Sequence, residues 1–153
     1  MKPLVSVIIP VYNAAPFIRE TLDSVQASTY RPLEIVMVDD ASTDDSLAVI
    51  TAYAEQHDNC RVFPQAALGV SATRNHAIRE ARGTYILPVD ADDKIGPTYI
   101  EHAVQVLEQH PDVRVVGCHA RMFGDVDKPW QLPRFSHALL ARKNMIPVTS
   151  LFR

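Results

Sequence analysis

The sequence predicts an α/β fold with a doubly wound, largely parallel β-sheet flanked by helices. Two observations carry this prediction. Short β-branched runs alternate with segments of helical periodicity, which is the pattern of repeated βαβ units. The runs at 33–38 and 84–89 also pass directly into carboxylates, as buried parallel strands covered on both faces do. At 153 residues, the chain has the length of one domain or most of one.

Each of the first two predicted strands is followed by a helix. Strand one covers residues 4–10, and an amphipathic helix follows over about 16–27. Strand two covers about 33–38. The next helix opens at 42–45 with a capping-box-like sequence. Its periodicity predicts that the side chains of Leu47, Ile50 and Ala54 face the core.

The same alternation continues to about residue 118. The predicted elements are strand three at 61–63, a helix at 71–81 that ends before Gly83, strand four at 85–89, a helix starting at Pro97 and strand five at 113–118. The pattern then weakens: residues 124–137 are predicted to be irregular, and 144–152 to be extended with no helix after them. Because the last residues have the pattern of a strand interior, we expect the chain to be a fragment.

Composition and charge argue against several classes of function. With 15 basic and 18 acidic residues, no basic field predicts nucleic-acid binding. Cys60 and Cys118 are far apart and outside any CxxC pattern, so we expect reduced, packed thiols in a cytosolic protein. The histidines lack zinc-ligand spacing. The longest apolar run, residues 4–11, is too short to span a bilayer, and we expect neither a transmembrane segment nor a signal peptide.

Three acids follow the fourth strand, at the edge where open α/β sheets bind ligands. On an extended chain, Asp90 and Asp92 point the same way, about 7 Å apart. Carboxylate oxygens suit Mg²⁺ or Mn²⁺, which bind substrate phosphates as well. Alternatively, Asp92 or Asp93 caps the helix near Pro97 or lies in the turn with Gly96. We favour the metal site, because three acids within four residues repel each other without a cation.

The ends of the first two strands carry further candidates. Asp39 and Asp40 are neighbours on a strand and face opposite ways, so one could accept a hydrogen bond from a base imide N–H while the other satisfies backbone donors. Both could equally be turn-forming acids before a helix. At the end of strand one, a base could stack on Tyr12, or Tyr12 could be an aromatic at the core edge with its hydroxyl in solvent.

A third candidate is the helix start that contains Gly69 and Arg74. Its backbone N–H groups could bind an anion, although a solvated helix start has the same sequence pattern. The chain contains neither a Walker loop nor a GxGxxG turn. This disfavours P-loop NTPases and dinucleotide-binding dehydrogenases.

Taken together, the segments at 5–13, 34–44, 69–75 and 83–93 resemble the family 2 glycosyltransferases in residues, order and spacing. The resemblance covers about residues 3–120 closely and the remainder loosely. It implies the GT-A fold, with a nucleotide-sugar-binding α/β domain at 1–120 and the start of a truncated acceptor-binding region at 121–153. It also implies inverting transfer from a nucleotide-diphosphate sugar, usually a UDP-sugar, with Mn²⁺ or Mg²⁺.

The resemblance further implies roles for individual residues. Asp40 would take the uracil imide, with Pro10 and Tyr12 also at the base and Asp39 more structural. Arg74 would lie near the base or phosphates, and Asp90 towards the ribose. The full set that it implies for the nucleotide is Pro10, Val11, Tyr12, Asn13, Asp39, Asp40, Gly69, Arg74, Asp90 and Ala91, with Asp92 binding the metal.

Two positions depart from the family pattern, and one element of it is missing. Ala67 stands where asparagine is frequent, which removes one polar contact. Ala41 stands where glycine is common, and we expect it to be tolerated at a negative φ. The general base lies well downstream in the family, so we expect it beyond Arg153, because Asp125 and Asp127 match nothing in that pattern.

Family resemblance also implies a biological setting. It suggests a saccharide or lipid-linked saccharide acceptor, a role in cell-surface polysaccharide synthesis and a cytoplasmic location, with the full-length protein peripheral to the inner face of the membrane. One alternative is a sugar-nucleotide-forming nucleotidyltransferase, but residues 12–19 lack the glycine-rich basic loop that it needs. The other is a non-catalytic assembly module, which would have no reason to keep Asp90 and Asp92 unpaired.

Overall fold

The computed structural model describes residues 1–130, 133, 136–142 and 146–153. In chain order, its elements are β1 (Val5–Val11), α1 (Ile18–Gln26), β2 (Leu33–Asp39), α2 (Ser46–Ala54), β3 (Cys60–Pro64), α3 (Val70–Glu80), β4 (Tyr85–Pro88), α4 (Tyr99–Gln109), β5 (Val115–Val116), β6 (Ala120–Met122), β7 (Lys128–Trp130), α5 (His137–Leu140) and β8 (Leu151–Phe152). One sheet has the order β3-β2-β1-β4-β8-β5, and β6 pairs with β7.

Strands β1 to β4 are parallel and form the centre of the sheet, as the sequence predicts. In β1, Val5 pairs with Leu33 of β2 on one side and with Tyr85 of β4 on the other. Every residue of β1 and β2 is buried. One apolar cluster joins the sheet to α1, α2 and α4, and a second joins it to α3. Helices therefore cover both faces, which confirms the doubly wound α/β prediction.

A buried polar network fixes the amino-terminal edge of the sheet. Ser6 Oγ donates to Glu34 Oε1 at 2.5 Å and accepts from the Gly83 N–H at 2.8 Å. The Arg82 N–H donates to the same carboxylate at 2.7 Å, and Arg61 forms an ion pair with it at 3.0 Å. Burial raises the pKa of Glu34, but these donors outweigh burial and leave the pKa below its ordinary value. The network joins the α3–β4 connection to β1 and β2.

Helix α2 begins later than the sequence predicts. Its first residue is Ser46, and no side chain caps it at Asp45. The prediction that Leu47 points inward is wrong: Leu47 is exposed, whereas Ser46, Ile50 and Tyr53 are buried. The physical reason is that residues 42–44 form hydrogen bonds with the loop after β1 instead of forming a helical turn; for example, the Ala15 N–H donates to Asp44 Oδ2 at 3.1 Å.

The carboxyl-terminal region departs further from the prediction. The expected strand at 113–118 shortens to β5, which lies antiparallel to β8 rather than beside β4. Within 124–137, β7 pairs with β6, so that segment is not wholly irregular. Of 144–152, only Leu151 and Phe152 form a strand, and residues 143–145 lie outside the described part. The buried Leu151 explains why β8 occupies the place next to β4.

The remaining predictions concern cysteines and membrane spans. Both cysteines are free, but Cys118 is exposed rather than packed. The helices α3 and α4 have 11 residues each, and the described part of the chain contains no helix with the length and hydropathy needed to cross a membrane.

Candidate functional site

A cavity of about 570 Å³ lies at the carboxyl ends of β1, β2 and β4. These strands are parallel neighbours, so the loops that follow them meet at one edge of the sheet. Ten of the eleven predicted site residues line the cavity: Pro10, Val11, Tyr12, Asn13, Asp40, Gly69, Arg74, Asp90, Ala91 and Asp92. Asp39 is the exception. Although it is buried, it is not part of the lining.

Asp39 and Asp40 face opposite ways, as neighbours on an extended chain must. Asp39 Oδ2 accepts a hydrogen bond from the Ser42 N–H at 3.1 Å, which supports the turn into α2. Its Oδ1 is buried and has no hydrogen-bond partner among the described residues. Asp39 is therefore structural in this geometry, and Asp40 is the acid of this pair that meets the cavity.

Three groups donate hydrogen bonds to the Asp40 carboxylate, and the Thr73 hydroxyl, which donates to the Gly69 carbonyl at 2.9 Å, lies close enough to lower the pKa of Asp40 as well. Oδ1 accepts from Gln65 Nε2 at 2.7 Å and from the Leu68 N–H at 2.8 Å, and Oδ2 accepts from the Gly69 N–H at 2.8 Å. A carboxylate offers about four acceptor positions, so one remains, on Oδ2. Burial raises the pKa of Asp40, but the hydrogen bonds outweigh it and keep the pKa below its ordinary value. Asp40 is thus a fixed anion with one vacant acceptor position.

The end of β1 presents an aromatic ring to the cavity and a fixed loop beside it. Tyr12 is 58% exposed. Asn13, at φ 49°, accepts from the Thr43 N–H through Oδ1 at 2.8 Å and donates its own N–H to Ser42 Oγ at 3.1 Å. The side-chain oxygen of Asn13 therefore joins the loops after β1 and β2, while the ring of Tyr12 remains open to a ligand.

Arg74 and Asp90 form an ion pair across the cavity lining, with Arg74 NH2 2.5 Å from Asp90 Oδ1. The expectation that Asp90 is unpaired is therefore wrong, because α3 carries Arg74 to the loop after β4. The buried Nε of Arg74 has no hydrogen-bond partner within the described ranges. The pair fixes the direction of the Asp90 carboxylate and offsets part of its charge.

The acids after β4 fit a divalent cation that takes its remaining ligands from phosphate. Asp92 is exposed, and its carboxylate forms no hydrogen bond or ion pair with the part of the chain described. Burial raises the pKa of Asp93, and the charges of Asp90 and Asp92 raise it further, so this loop has a negative potential. No three metal-binding side chains cluster among the described residues. Mg²⁺ is commonly held by one or two carboxylates and substrate phosphates, which is what Asp92 allows.

A second cavity, of about 820 Å³, adjoins the first and shares Phe17, Asp90 and Asp92 with it. Its lining includes the aromatic side chains of Tyr99, Phe123 and Trp130. The acidic loop after β4 therefore lies between a cavity bounded by strand ends and an aromatic cavity formed largely by residues past 117.

Sequence reasoning missed several residues of the site. The first cavity is also lined by Ala14, Phe17, Val70 and Thr73, which sequence reasoning did not name, and by Ala67, which it named only as a departure from the family pattern. Phe17 carried no signal, because the sequence predicts a helix from about residue 16, and only the structure shows that its ring is 56% exposed. Gln65 carried none: it follows a strand in a loop without periodicity, and only the fold brings it to Asp40.

The comparisons with known proteins agree on one family. The model described as "Glycosyl transferase family 2" matches residues 6–151. The uncharacterized glycosyltransferase EpsJ of Bacillus subtilis is 41% identical over 118 residues, which are 77% of this chain and 34% of EpsJ. The uncharacterized glycosyltransferase YibD of Escherichia coli is 38% identical over 127 residues, which are 82% of this chain and 37% of YibD.

Solved structures give the same result. The mannosyltransferase PcManGT from Pyrobaculum calidifontis, in complex with GDP-Man and Mn²⁺, matches with a TM-score of 0.71 and 34% identity, over 77% of this chain and 36% of that one. TarS of S. aureus (1–349), in complex with UDP-GlcNAc, matches with a TM-score of 0.80 and 26% identity, over 100% of this chain and 45% of that one.

The chain spans between 34% and 45% of the length of these four proteins. The family match nevertheless covers nearly all of the chain, and the structural matches cover its central sheet and the helices around it. The chain therefore has the GT-A fold and belongs to glycosyl transferase family 2.

Proposed function

We propose that this chain forms the donor-binding part of an inverting glycosyltransferase that uses a nucleotide-diphosphate sugar, in the first instance a UDP-sugar, with Mn²⁺ or Mg²⁺. The observation that carries the proposal is that two carboxylates of different character line one cavity. Asp40 is buried and has one vacant acceptor position. Asp92 is exposed and forms no hydrogen bond or ion pair within the described residues. The complexes of PcManGT with GDP-Man and Mn²⁺ and of TarS with UDP-GlcNAc support it.

The base would bind between Tyr12 and Asp40. The exposed ring of Tyr12 offers a stacking surface to a flat base. Uracil presents a single imide N–H, and Asp40 has one acceptor position left for it. Because its donors keep Asp40 ionised, this hydrogen bond would be charge-assisted and stronger than one between neutral groups.

The ribose and diphosphate would extend from the base towards the acidic loop. Asp90, oriented by Arg74, would accept hydrogen bonds from ribose hydroxyls through its free oxygen. Asp92 would hold the cation, whose other ligands would be diphosphate oxygens and water. When bound, the cation supplies charge stabilisation to the leaving diphosphate.

The acceptor would enter through the aromatic cavity. Flat apolar faces such as those of Phe17 and Trp130 suit the faces of a sugar ring, and this cavity meets the donor cavity at Asp92. We propose a saccharide or lipid-linked saccharide acceptor and a role in cell-surface polysaccharide synthesis at the cytoplasmic side of the membrane. An acceptor hydroxyl would attack the anomeric carbon opposite the diphosphate while a general base takes its proton. We assign that base to no residue of this chain.

Calorimetric titration of the chain with UDP tests the proposal. We expect Mn²⁺ to strengthen UDP binding by at least roughly tenfold, since a metal bridge worth 1.4 kcal/mol gives that factor. Asp92→Asn should lose most of this gain because the neutral amide is a poor metal ligand. Asp58→Asn, on an exposed turn away from the cavity, is the matched control and should behave as the wild type. Metal-independent binding, or equal behaviour of the two variants, would contradict the proposal.

A further inference from the structure

Gln65 lies behind Asp40, outside the cavity lining, and contacts three side chains around the site. Its Nε2 donates to Asp40 Oδ1 at 2.7 Å and to Thr73 Oγ1 at 3.1 Å. Its Oε1 lies 2.7 Å from His76 Nδ1. Both polar atoms of this side-chain amide are thus engaged.

The orientation of the Gln65 amide follows from its partners. An ionised carboxylate only accepts hydrogen bonds, so the amide nitrogen must face Asp40. The amide oxygen must then accept, and His76 Nδ1 must carry the hydrogen. Thr73 Oγ1 donates to the Gly69 carbonyl at 2.9 Å, which leaves it to accept from Gln65. Turning the amide over would place its oxygen against the Asp40 carboxylate and break the bond to Oδ1.

As a consequence, the two carboxylate oxygens of Asp40 differ in the number of acceptor positions that remain vacant. Gln65 and the Leu68 N–H fill both acceptor positions of Oδ1, while Oδ2 keeps one position vacant. A base with one N–H at its pairing edge, such as the imide of uracil, needs one position. Guanine presents two adjacent N–H groups, and a carboxylate can satisfy both only with one vacant position on each oxygen.

We propose that Gln65 is a positioning residue that makes the site prefer an imide-bearing pyrimidine nucleotide over a guanine nucleotide, by occupying Oδ1 of Asp40. The inference rests on the proposed function, because it needs a nucleotide base at Asp40. Gln65 acts only through Asp40 and does not touch the base. Its removal frees an acceptor position on Oδ1 and loosens the carboxylate, and both changes reduce the advantage of uracil.

The test compares Gln65→Met with the wild type by calorimetric titration with UDP and with GDP, both in Mn²⁺. Methionine keeps the length of the side chain and removes both of its hydrogen-bonding groups. We expect the wild type to bind UDP more tightly than GDP. In the variant, we expect the ratio of the two affinities to fall by roughly tenfold, the size of one hydrogen bond to a charged group. Gln105→Met, on the exposed side of α4, is the control and should keep the wild-type ratio.

A change of equal size in both affinities, with the ratio within about twofold of the wild type, would overturn the inference, since a merely structural role lowers both alike. If Gln65→Met does not fold, the same titrations with UDP and GDP are made on His76→Phe. This variant keeps a ring beside Phe63 but removes the donor that orients Gln65. The ratio should then fall in the same direction by a smaller factor, and an unchanged ratio overturns the inference. Failure of the wild type to bind any nucleotide would refute the proposed function itself.

Discussion

Asp40 illustrates how a buried carboxylate stays charged in an apolar sheet. Burial alone disfavours the ion, but two backbone N–H groups and one side-chain amide compensate. That Asp39 and Asp40 face opposite ways could be predicted from strand geometry. The identity of the donors could not, because Leu68 and Gly69 follow a different strand, and only the fold brings their N–H groups to Asp40.

The backbone conformation of Ala41 could not be predicted from the sequence. We expected alanine to be tolerated there on condition that φ is negative, and the structure has φ 59°. The left-handed region costs a residue with a Cβ about 1 kcal/mol or more, because the Cβ approaches the following carbonyl oxygen. The turn is held by the Ser42 N–H bond to Asp39, so the strain persists.

The variant Ala41→Gly should therefore stabilise the chain. We expect a gain of up to about 1 kcal/mol, which corresponds to a rise in Tm of about 2–4 °C for a domain of this size. Thermal unfolding followed by circular dichroism measures it. Ala66→Gly is the control, since Ala66 is exposed and not at positive φ, and its Tm should stay the same or fall. A Tm no higher than the wild type for Ala41→Gly would show that the turn carries no strain.

Among the helices and strands, the sequence predicts most accurately those whose pattern lies within the element itself. Helices α1 and α3 begin and end, and α4 begins, within a few residues of their expected positions, because apolar periodicity and terminal residues lie within each segment. The strands β5 and β8 have two residues each, and although the sequence pattern predicts extended segments at both places, it predicts neither their shortness nor their antiparallel pairing. Their pairing depends on contacts between distant parts of the chain.

The connection between α3 and β4 lies so close to the start of β1 that a substitution at Gly83 tests its position. A Cβ added at Gly83 would lie 2.6 Å from Ser6 Oγ, 2.7 Å from Ser6 N and 2.8 Å from Leu4 O. Two of these are backbone atoms of the central strand region and cannot move aside. We expect Gly83→Ala to destabilise the chain by about 3 kcal/mol, as overpacking of a rigid site does.

Urea unfolding measures this destabilisation. Gly96→Ala is the control, because a Cβ there meets nothing within 4 Å. We expect Gly96→Ala to stay within about 0.5 kcal/mol of the wild type, as surface substitutions do. Equal midpoints for the two variants would mean that the close approach of Gly83 to Ser6 is not rigid, and that the polar network around Glu34 tolerates displacement.

At the scale of the whole molecule, the site is assembled from loops that are far apart in sequence. The doubly wound sheet brings the ends of β1, β2 and β4 to one edge, so candidate residues on these strands could be predicted to converge. The aromatic cavity could not be predicted, because it needs β6, β7 and residues 147–149 packed beside the acidic loop. The ion pair between Arg74 and Asp90 depends equally on the packing of α3 against the sheet.

The most direct test of the central claim is a crystal structure of the chain with UDP and Mn²⁺. We expect an anomalous peak for manganese coordinated by the Asp92 carboxylate and by diphosphate oxygens, with the uracil imide within hydrogen-bond distance of Asp40 Oδ2. A nucleotide bound away from this cavity, or manganese bound without Asp92, would contradict it.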